Sequence, residues 1–253
     1  MEFTRALTRR PAETLGRGLT TSDLGPPDPD LALVQFERYV KALEDCGLAV
    51  TILDPLPDLP DAHFVEDAAV VTPEVAVITR PGAEVRRDEA EQLAPILARH
   101  RELARIETPG TLDGGDVLIV GDRVLIGISE RTNGAGAHQL GEILGAHGYT
   151  WRAVPVDAGL HLKSDVNHVG DGTLLVSAGF AKLDALDAFG RIVVAEGEDY
   201  ACNTLLVNGK LLMPAGFPET HRRLTDLGRE IVELEVGEFR KMDGGLTCLS
   251  LRF

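Results

Sequence analysis

A cysteine, a histidine and several acids interrupt the sequence where its pattern otherwise asks for apolar residues. Cys248 lies in "KMDGGLTCLSLRF", behind two glycines and between short apolar stretches, and His161 stands between two leucines in "GLHLKS". Acids open two other stretches, Glu66 and Asp67 in "PDAHFVEDAAVV" and Asp113 and Asp116 in "TLDGGDVLIV". A thiolate is a strong protein nucleophile, an imidazole can give and then take a proton, and carboxylates hold a planar cation. Carboxylates gathered in one place are costly to bury unless a cation, a metal or strong hydrogen bonds compensate, and a cationic substrate would do so.

Each residue also has a plainer reading. A free cysteine is most often a small buried apolar residue, which fits Cys46 late on an amphipathic helix and Cys202 at the start of a strand. Cys248 stands evenly between the two readings, because the glycines before it allow close approach by a ligand. His161 reads by default as a hydrogen-bonded structural histidine, Asp113 and Asp116 as turn residues, and Arg86 and Arg131 as solvated cations. "DAHFVED" suggests a metal site of the ureohydrolase kind, but a cluster needs several such segments and no second one matches. His63 is then expected to be exposed, and no metal is expected.

The elements that must position these residues recur. Hairpins are expected at "VVTPEVAVI", "VLIVGDRVLIGI", "HVGDGTLLV" and "TLLVNGKLLM", each joining two β-type runs through Gly, Asn, Asp or Pro. An amphipathic helix is expected after each. Leu93, Ile96 and Leu97 align in one such helix, and Leu140, Ile143 and Leu144 in another. The N-terminal unit has the strand "FTRAL", a helix aligning Phe36, Tyr39, Val40 and Leu43, and the strand "LAVTILD"; its hairpin partner is the last run, "TCLSLRF". Counting that closure, five ββαβ-like units of roughly 40–50 residues fill the chain. A ring of them brings equivalent hairpin entrances, with Asp67, Asp113, His161 and Cys248, to one central axis. Residues 11–28, rich in Gly and Pro and without either period, read as a lid loop or a plain connector.

With 253 residues and 44% hydrophobic content, the chain can bury a conventional core, here read as one domain over residues 1–253. Its formal net charge of -15 argues against nucleic acid and anionic membrane surfaces and favours a cationic partner. Three cysteines without metal-binding spacing, no apolar leader and no membrane-spanning run point to the cytoplasm. The exposed faces of the outer helices leave room for a homodimer.

Taken together, "FVED", "ITRPGAEVRR", "TLDGGDVL", "RTN", "GLHLKS" and "DGGLTCLSLRF" resemble, in order and spacing, the dimethylarginine dimethylaminohydrolases of the pentein, or guanidino-group-modifying, superfamily. The resemblance covers essentially the whole chain. It implies an α/β fold, a five-bladed propeller of ββαβ modules, and hydrolysis of free methylated arginine to citrulline and an alkylamine without metal, nucleotide or organic cofactor. Residue by residue, it makes Cys248 the nucleophile and His161 the proton shuttle, with Asp113 and Asp67 gripping the guanidinium. Arg86 and Arg131 would hold the substrate carboxylate, while Asp61 and Glu66 help position the amino-acid end and the pocket. Leu19 and the Met242–Asp243 segment would offer backbone carbonyls to the α-ammonium. The alternatives are an N-hydroxyarginine hydrolase, an arginine deiminase, or a silent binding homologue on the same scaffold.

Overall fold

The computed structural model describes residues 2–157 and 159–253. Its strands form five separate three-stranded sheets, and each is built the same way. An inner and a middle strand pair antiparallel, and an outer strand adds to the middle one in parallel. In chain order the units are β3 (Ala69–Val71), β4 (Val75–Ile78) and β5 (Glu102–Arg105); β6 (Val117–Val120), β7 (Arg123–Ile128) and β8 (Thr150–Pro155); β9 (Val166–Gly170), β10 (Thr173–Val176) and β11 (Gly190–Val193); β12 (Leu205–Val207), β13 (Lys210–Pro214) and β14 (Ile231–Leu234). The fifth unit joins the chain ends. β15 (Leu251–Arg252) pairs antiparallel with β1 (Arg5–Arg9) through Ala6↔Arg252 and Leu7↔Leu251, and β1 pairs in parallel with β2 (Ala49–Leu53).

All four hairpins expected from the sequence are present, as is the closure by the last run. Asp171 and Gly172, and Asn208 and Gly209, supply the positive φ angles that two-residue turns demand. Helices α1 (Pro29–Asp45), α2 (Arg87–Leu97), α3 (Gly134–Gly145) and α5 (Pro218–Thr225) connect middle to outer strands; α4 (Leu162–Asp165) and α6 (Gly237–Arg240) are single turns. Asp28 caps α1 by accepting from the Asp30 and Leu31 N–H groups, with Pro29 in the first turn. The buried face of α1 carries Phe36, Tyr39 and Leu43, each at most 1% exposed. The unit of β9–β11 departs from the expected pattern. Its connection forms two 3₁₀ turns, Ala178–Phe180 and Asp184–Leu186, instead of an α-helix. That segment is short, and Phe180, Leu183 and Leu186 recur every third residue, the period of a 3₁₀ turn.

The hydrophobic residues gather in five clusters between neighbouring units instead of one central core. The inner strands therefore line the axis. Among the described residues, no helix is long and apolar enough to cross a membrane.

Candidate active site

Every inner strand is entered through a short turn at the same end of the ring. These turns are Val65–Ala68 before β3, Gly114–Asp116 before β6, α4 before β9, Asp199–Cys202 before β12 and Thr247–Leu249 before β15. Equivalent positions in the repeat thereby deliver Glu66 and Asp67, Asp113 and Asp116, His161 and Lys163, Tyr200 and Asn203, and Thr247 and Cys248 to one place. Cys46 and Cys202 are buried, whereas Cys248 is partly exposed.

Two chambers meet at Cys248 and His161. The narrower, about 20 Å³, is lined by Leu19, Asp61, Asp67, Arg86, Arg131 and Met242 as well as by Cys248 and His161. The wider, about 400 Å³, reaches from Glu66, Lys163 and Thr247 past Asn203 and Tyr200 to the rim at residues 21–24. Asp243 borders both.

His161 turns Nε2 to Asp113 Oδ2 at 3.0 Å, with Asp67 Oδ1 3.9 Å away. Burial alone would depress the imidazole, but Asp67 and Asp113 outweigh it and hold His161 up at about 9, a cation at neutral pH. Asp67 answers in the opposite direction: burial would raise its carboxyl, yet His161 and Arg86 hold it at about 2. Burial, with Glu66 and Asp67 close by, pushes the Cys248 thiol up to about 12. At neutral pH the site therefore holds an imidazolium beside a thiol, and a cation between Asp67 and Cys248 would favour the thiolate.

Glycines set how tightly these groups approach. A Cβ on Gly115 would lie 2.7 Å from His161 Nδ1 and 2.8 Å from Asp67 Oδ1, so "LDGGD" needs its second glycine there. Gly244 and Gly245 serve protein packing and not ligand approach, because side chains on them would strike Phe64 and Asn203. The positive φ of that segment belongs to Asp243.

Three expectations are corrected. Asp113 lines neither chamber, being fully buried, and both its oxygens are taken: Oδ1 accepts from the Gly82 N–H at 2.8 Å and Oδ2 meets His161. It is placed to orient His161, and Asp67 alone of the pair reaches the chamber wall. Arg86 is buried and not solvated; it lines the narrow chamber, while Nε and Nη2 donate to Glu89 and Nη1 donates to Asp67 Oδ2 at 2.7 Å. A guanidinium has five N–H donors, so few remain for a substrate carboxylate. Arg131, on the same wall, has no carboxylate within salt-bridge range among the described residues. Finally, His63 is 1% exposed, with its ring against Phe64 and Phe239 and Nδ1 on the Pro60 carbonyl. Burial beside Arg86 lowers its pKa to about 3 and keeps it neutral.

The loop of residues 19–21 is anchored beside the narrow chamber. The Leu19 N–H donates to Asp61 Oδ2 at 2.9 Å, the Thr21 N–H to Asp243 Oδ2 at 2.6 Å, and Thr20 Oγ1 to the Lys241 carbonyl at 3.0 Å. Pro11, Ala12 and Leu15 are buried, so the exposed part of the loop is shorter than residues 11–28. Burial raises the Asp61 carboxyl, and the Leu19 N–H partly offsets that.

Glu66 stands apart from the amino-acid end. Its Oε1 accepts from Lys163 Nζ at 2.7 Å and from Arg252 Nη2 at 3.0 Å, which forms a septum across the axis. Glu89, Lys163 and Arg252 were not singled out from the sequence. A buried acid three residues from an arginine in a helical turn is the one local signal for Glu89; Lys163 and Arg252 carried none. Asp67, Asp113 and His161 offer ligand atoms within 4.8 Å of one another. Their charges are already balanced by Arg86 and by the imidazolium, so the trio works as an ion-pair network.

A family model described as arginine deiminase matches residues 46–167. N(G),N(G)-dimethylarginine dimethylaminohydrolase from Streptomyces coelicolor is 43% identical over 100% of this chain and 98% of its own length. The enzyme of that name from Pseudomonas aeruginosa is 41% identical over 99% of this chain and 100% of its own. The chain belongs to the dimethylarginine dimethylaminohydrolase family. A solved structure of the Pseudomonas aeruginosa DDAH, a cysteine-to-serine mutant complexed with citrulline, superimposes with a TM-score of 0.98 at 40% identity, covering 100% of both chains. The architecture is accordingly the five-bladed α/β propeller of the pentein superfamily, the fold expected from the family resemblance.

Proposed function

We propose that this protein hydrolyses the guanidinium group of free methylated L-arginines, giving L-citrulline and dimethylamine or methylamine through an S-alkylthiouronium on Cys248. The observation that carries the reading is the joint position of Cys248 and His161 at the meeting of the two chambers, with Asp67 on one wall. The narrow chamber takes the amino-acid end. Arg131 holds the α-carboxylate, with Arg86 contributing at most a residual N–H, and Asp61 and the carbonyls of Leu19 and Met242 face the α-ammonium. Asp67 accepts from the guanidinium and orients its plane so that sulfur meets the central carbon.

The substrate's charge stabilises the thiolate that attacks it. Sulfur adds to carbon, and His161 then protonates the alkyl-bearing nitrogen. The C–N bond breaks with its electron pair on nitrogen, and a neutral amine leaves. The neutral imidazole next takes a proton from water as oxygen bonds to carbon; the C–S bond breaks with its electron pair on sulfur, the hydroxyl proton passes to solvent, and citrulline is released from the thiolate and imidazolium. Asp113 keeps His161 in register through both halves. The reacting thiol suits the cytoplasm, where it stays reduced.

The test is direct. Purified protein is incubated with dimethylarginine, monomethylarginine, arginine and N-hydroxyarginine, with chelator present, and the products are identified. Citrulline with the methylamines is expected. Ornithine from N-hydroxyarginine as the dominant product, or turnover abolished by chelator, would overturn the reading.

A further inference from the structure

Five short turns enter the inner strands, and the reaction draws its side chains from four of them: Asp67, Asp113, His161 and Cys248 stand at the turns before β3, β6, β9 and β15. The fifth, Asp199–Cys202 before β12, supplies Tyr200 and Asn203, neither of which takes part in the proton and electron movements of the reaction. Both line the wide chamber beside Cys248.

Their polar atoms reach the segment that carries the nucleophile. Asn203 is 6% exposed, and its amide is engaged at both atoms. Oδ1 accepts from the Thr247 N–H at 3.0 Å, while Nδ2 donates to Thr247 Oγ1 at 3.3 Å and to the Lys163 carbonyl at 3.2 Å. A primary amide has two N–H donors, so none is left for a ligand. Gly245 makes room for this contact, since a Cβ there would lie 2.3 Å from Asn203 Cγ. Tyr200 donates its hydroxyl to the Gly244 carbonyl at 2.7 Å, and the Arg240 guanidinium lies over its ring, 4.6 Å from the centroid.

The two reacting turns depend on these contacts unequally. The turn of His161 has other anchors: Asp116 Oδ1 accepts from the Leu162 N–H at 2.8 Å, and Asn167 Nδ2 donates to the Lys163 carbonyl at 2.6 Å. Thr247–Leu249, by contrast, is a single 3₁₀ turn without a side-chain cap. The Cys248 N–H bonds back to the Gly245 carbonyl at 3.2 Å, and Arg252 Nη1 donates to the Thr247 carbonyl at 3.2 Å. Losing Asn203 therefore loosens the sulfur and leaves the imidazole in place.

We propose that Asn203 and Tyr200 are positioning residues, a clamp that holds the Cys248 turn against the His161 turn and fixes the sulfur opposite the central carbon of the substrate. The inference rests on the hydrolase reading above. Attack needs sulfur and carbon aligned at close range, and a displacement of about 1 Å costs on the order of 10²-fold in rate. The Asn203 amide ties the residue next to Cys248 to the turn that His161 opens, and Tyr200 holds the chain at Gly244 ahead of the nucleophile.

The experiment compares Asn203→Ala, which removes the tie, with Tyr200→Phe, which removes one oxygen and keeps the ring under Arg240. The kcat for dimethylarginine should fall on the order of 10²-fold in Asn203→Ala. In Tyr200→Phe it should fall about fivefold, the worth of one hydrogen bond. KM and competitive inhibition by citrulline should stay within about threefold in both, since the amino-acid end sits in the narrow chamber. Dimethylarginine and monomethylarginine should lose equally. First-turnover thiol release from an S-alkyl thiocitrulline should slow comparably, because that step needs the sulfur but not the imidazolium proton. Unequal losses on the two methylarginines would put these side chains on the leaving amine, and intact thiol release would place their effect on His161. Either result would overturn the proposal, as would an unchanged kcat or a KM that rises as far as kcat falls. Tyr200→Phe decides alone if Asn203→Ala does not fold. Failure of the unaltered protein to turn over dimethylarginine would instead strike the hydrolase reading, and is seen before any variant is made.

Discussion

Asp113 bridges two partners: Oδ2 lies 3.0 Å from His161 Nε2, and Oδ1 accepts from the Gly82 N–H at 2.8 Å. A carboxylate so placed fixes one imidazole nitrogen and favours the imidazolium, leaving the other nitrogen for the reaction. Asp113→Asn keeps the shape but removes the charge. Its kcat should fall on the order of 10²-fold with KM little changed, a loss typical of a misdirected acid–base group. Equal damage to KM would argue that Asp113 binds substrate after all.

The same pairing sets a pH dependence. On the proposed mechanism His161 acts as the imidazolium that protonates the leaving nitrogen, and neighbouring carboxylates hold it up at about 9 in the free protein. In the substrate complex, where the thiolate has already formed, kcat should therefore hold through neutrality and fall about tenfold per pH unit once His161 loses its proton. In Asp113→Asn the limb should move to lower pH, because one of the charges that raises His161 is gone. A descending limb unmoved by that substitution would assign it to another group.

The ring and its hairpins were legible because their signals are local. Alternation of apolar residues and turns such as Asn208–Gly209 act over a few residues, and the pairing of β1 with β15 followed from one unit lacking a partner. The convergence of Asp67, His161 and Cys248 came from placing the hairpin entrances at equivalent positions. What escaped was decided across the ring. Nothing near Arg86 in sequence says that its fork is also taken by Asp67, and nothing near His63 says that two phenylalanines enclose it. The 3₁₀ connection in the β9–β11 unit was missed because three-residue and helical spacings look alike over so short a stretch.

Cys248 should be slow to alkylate in the free protein. Burial and the carboxylates of Glu66 and Asp67 hold its thiol near 12, so its rate with a neutral reagent such as iodoacetamide should keep climbing past pH 10 without a plateau. Glu66→Gln removes the stronger of these two charges and leaves Lys163 and Arg252 without their anion. The profile should shift down on the order of one pH unit. No shift would mean that the septum does not act on the sulfur.

Cys248→Ser should retain the fold and thermal midpoint while losing turnover, since a hydroxyl cannot replace the thiolate here. His161→Gly removes the proton donor and the later base. Intact-mass measurement after mixing with a substrate whose leaving group needs no proton, such as an S-alkyl thiocitrulline, should show the adduct on Cys248 persisting. Substantial citrulline formation by the serine variant would remove the proposed nucleophile.

Arg86 and Arg131 face the same narrow chamber but should fail differently. Arg86 neutralises Asp67 and Glu89, all three at most 6% exposed. Burial, against the pull of Arg86, already raises Glu89 to about 7. Arg86→Ala leaves two buried carboxylates facing each other, a loss of about 3–5 kcal/mol in stability, visible as a lowered denaturation midpoint. Arg131→Ala breaks no buried ion pair among the described residues, so its midpoint should stay within a few degrees. Its effect should fall on substrate binding, with KM raised on the order of 10²-fold and kcat nearly kept. If Arg86→Ala instead raised KM with stability intact, Arg86 would be a substrate ligand, and the Glu89 contact would have to open on binding.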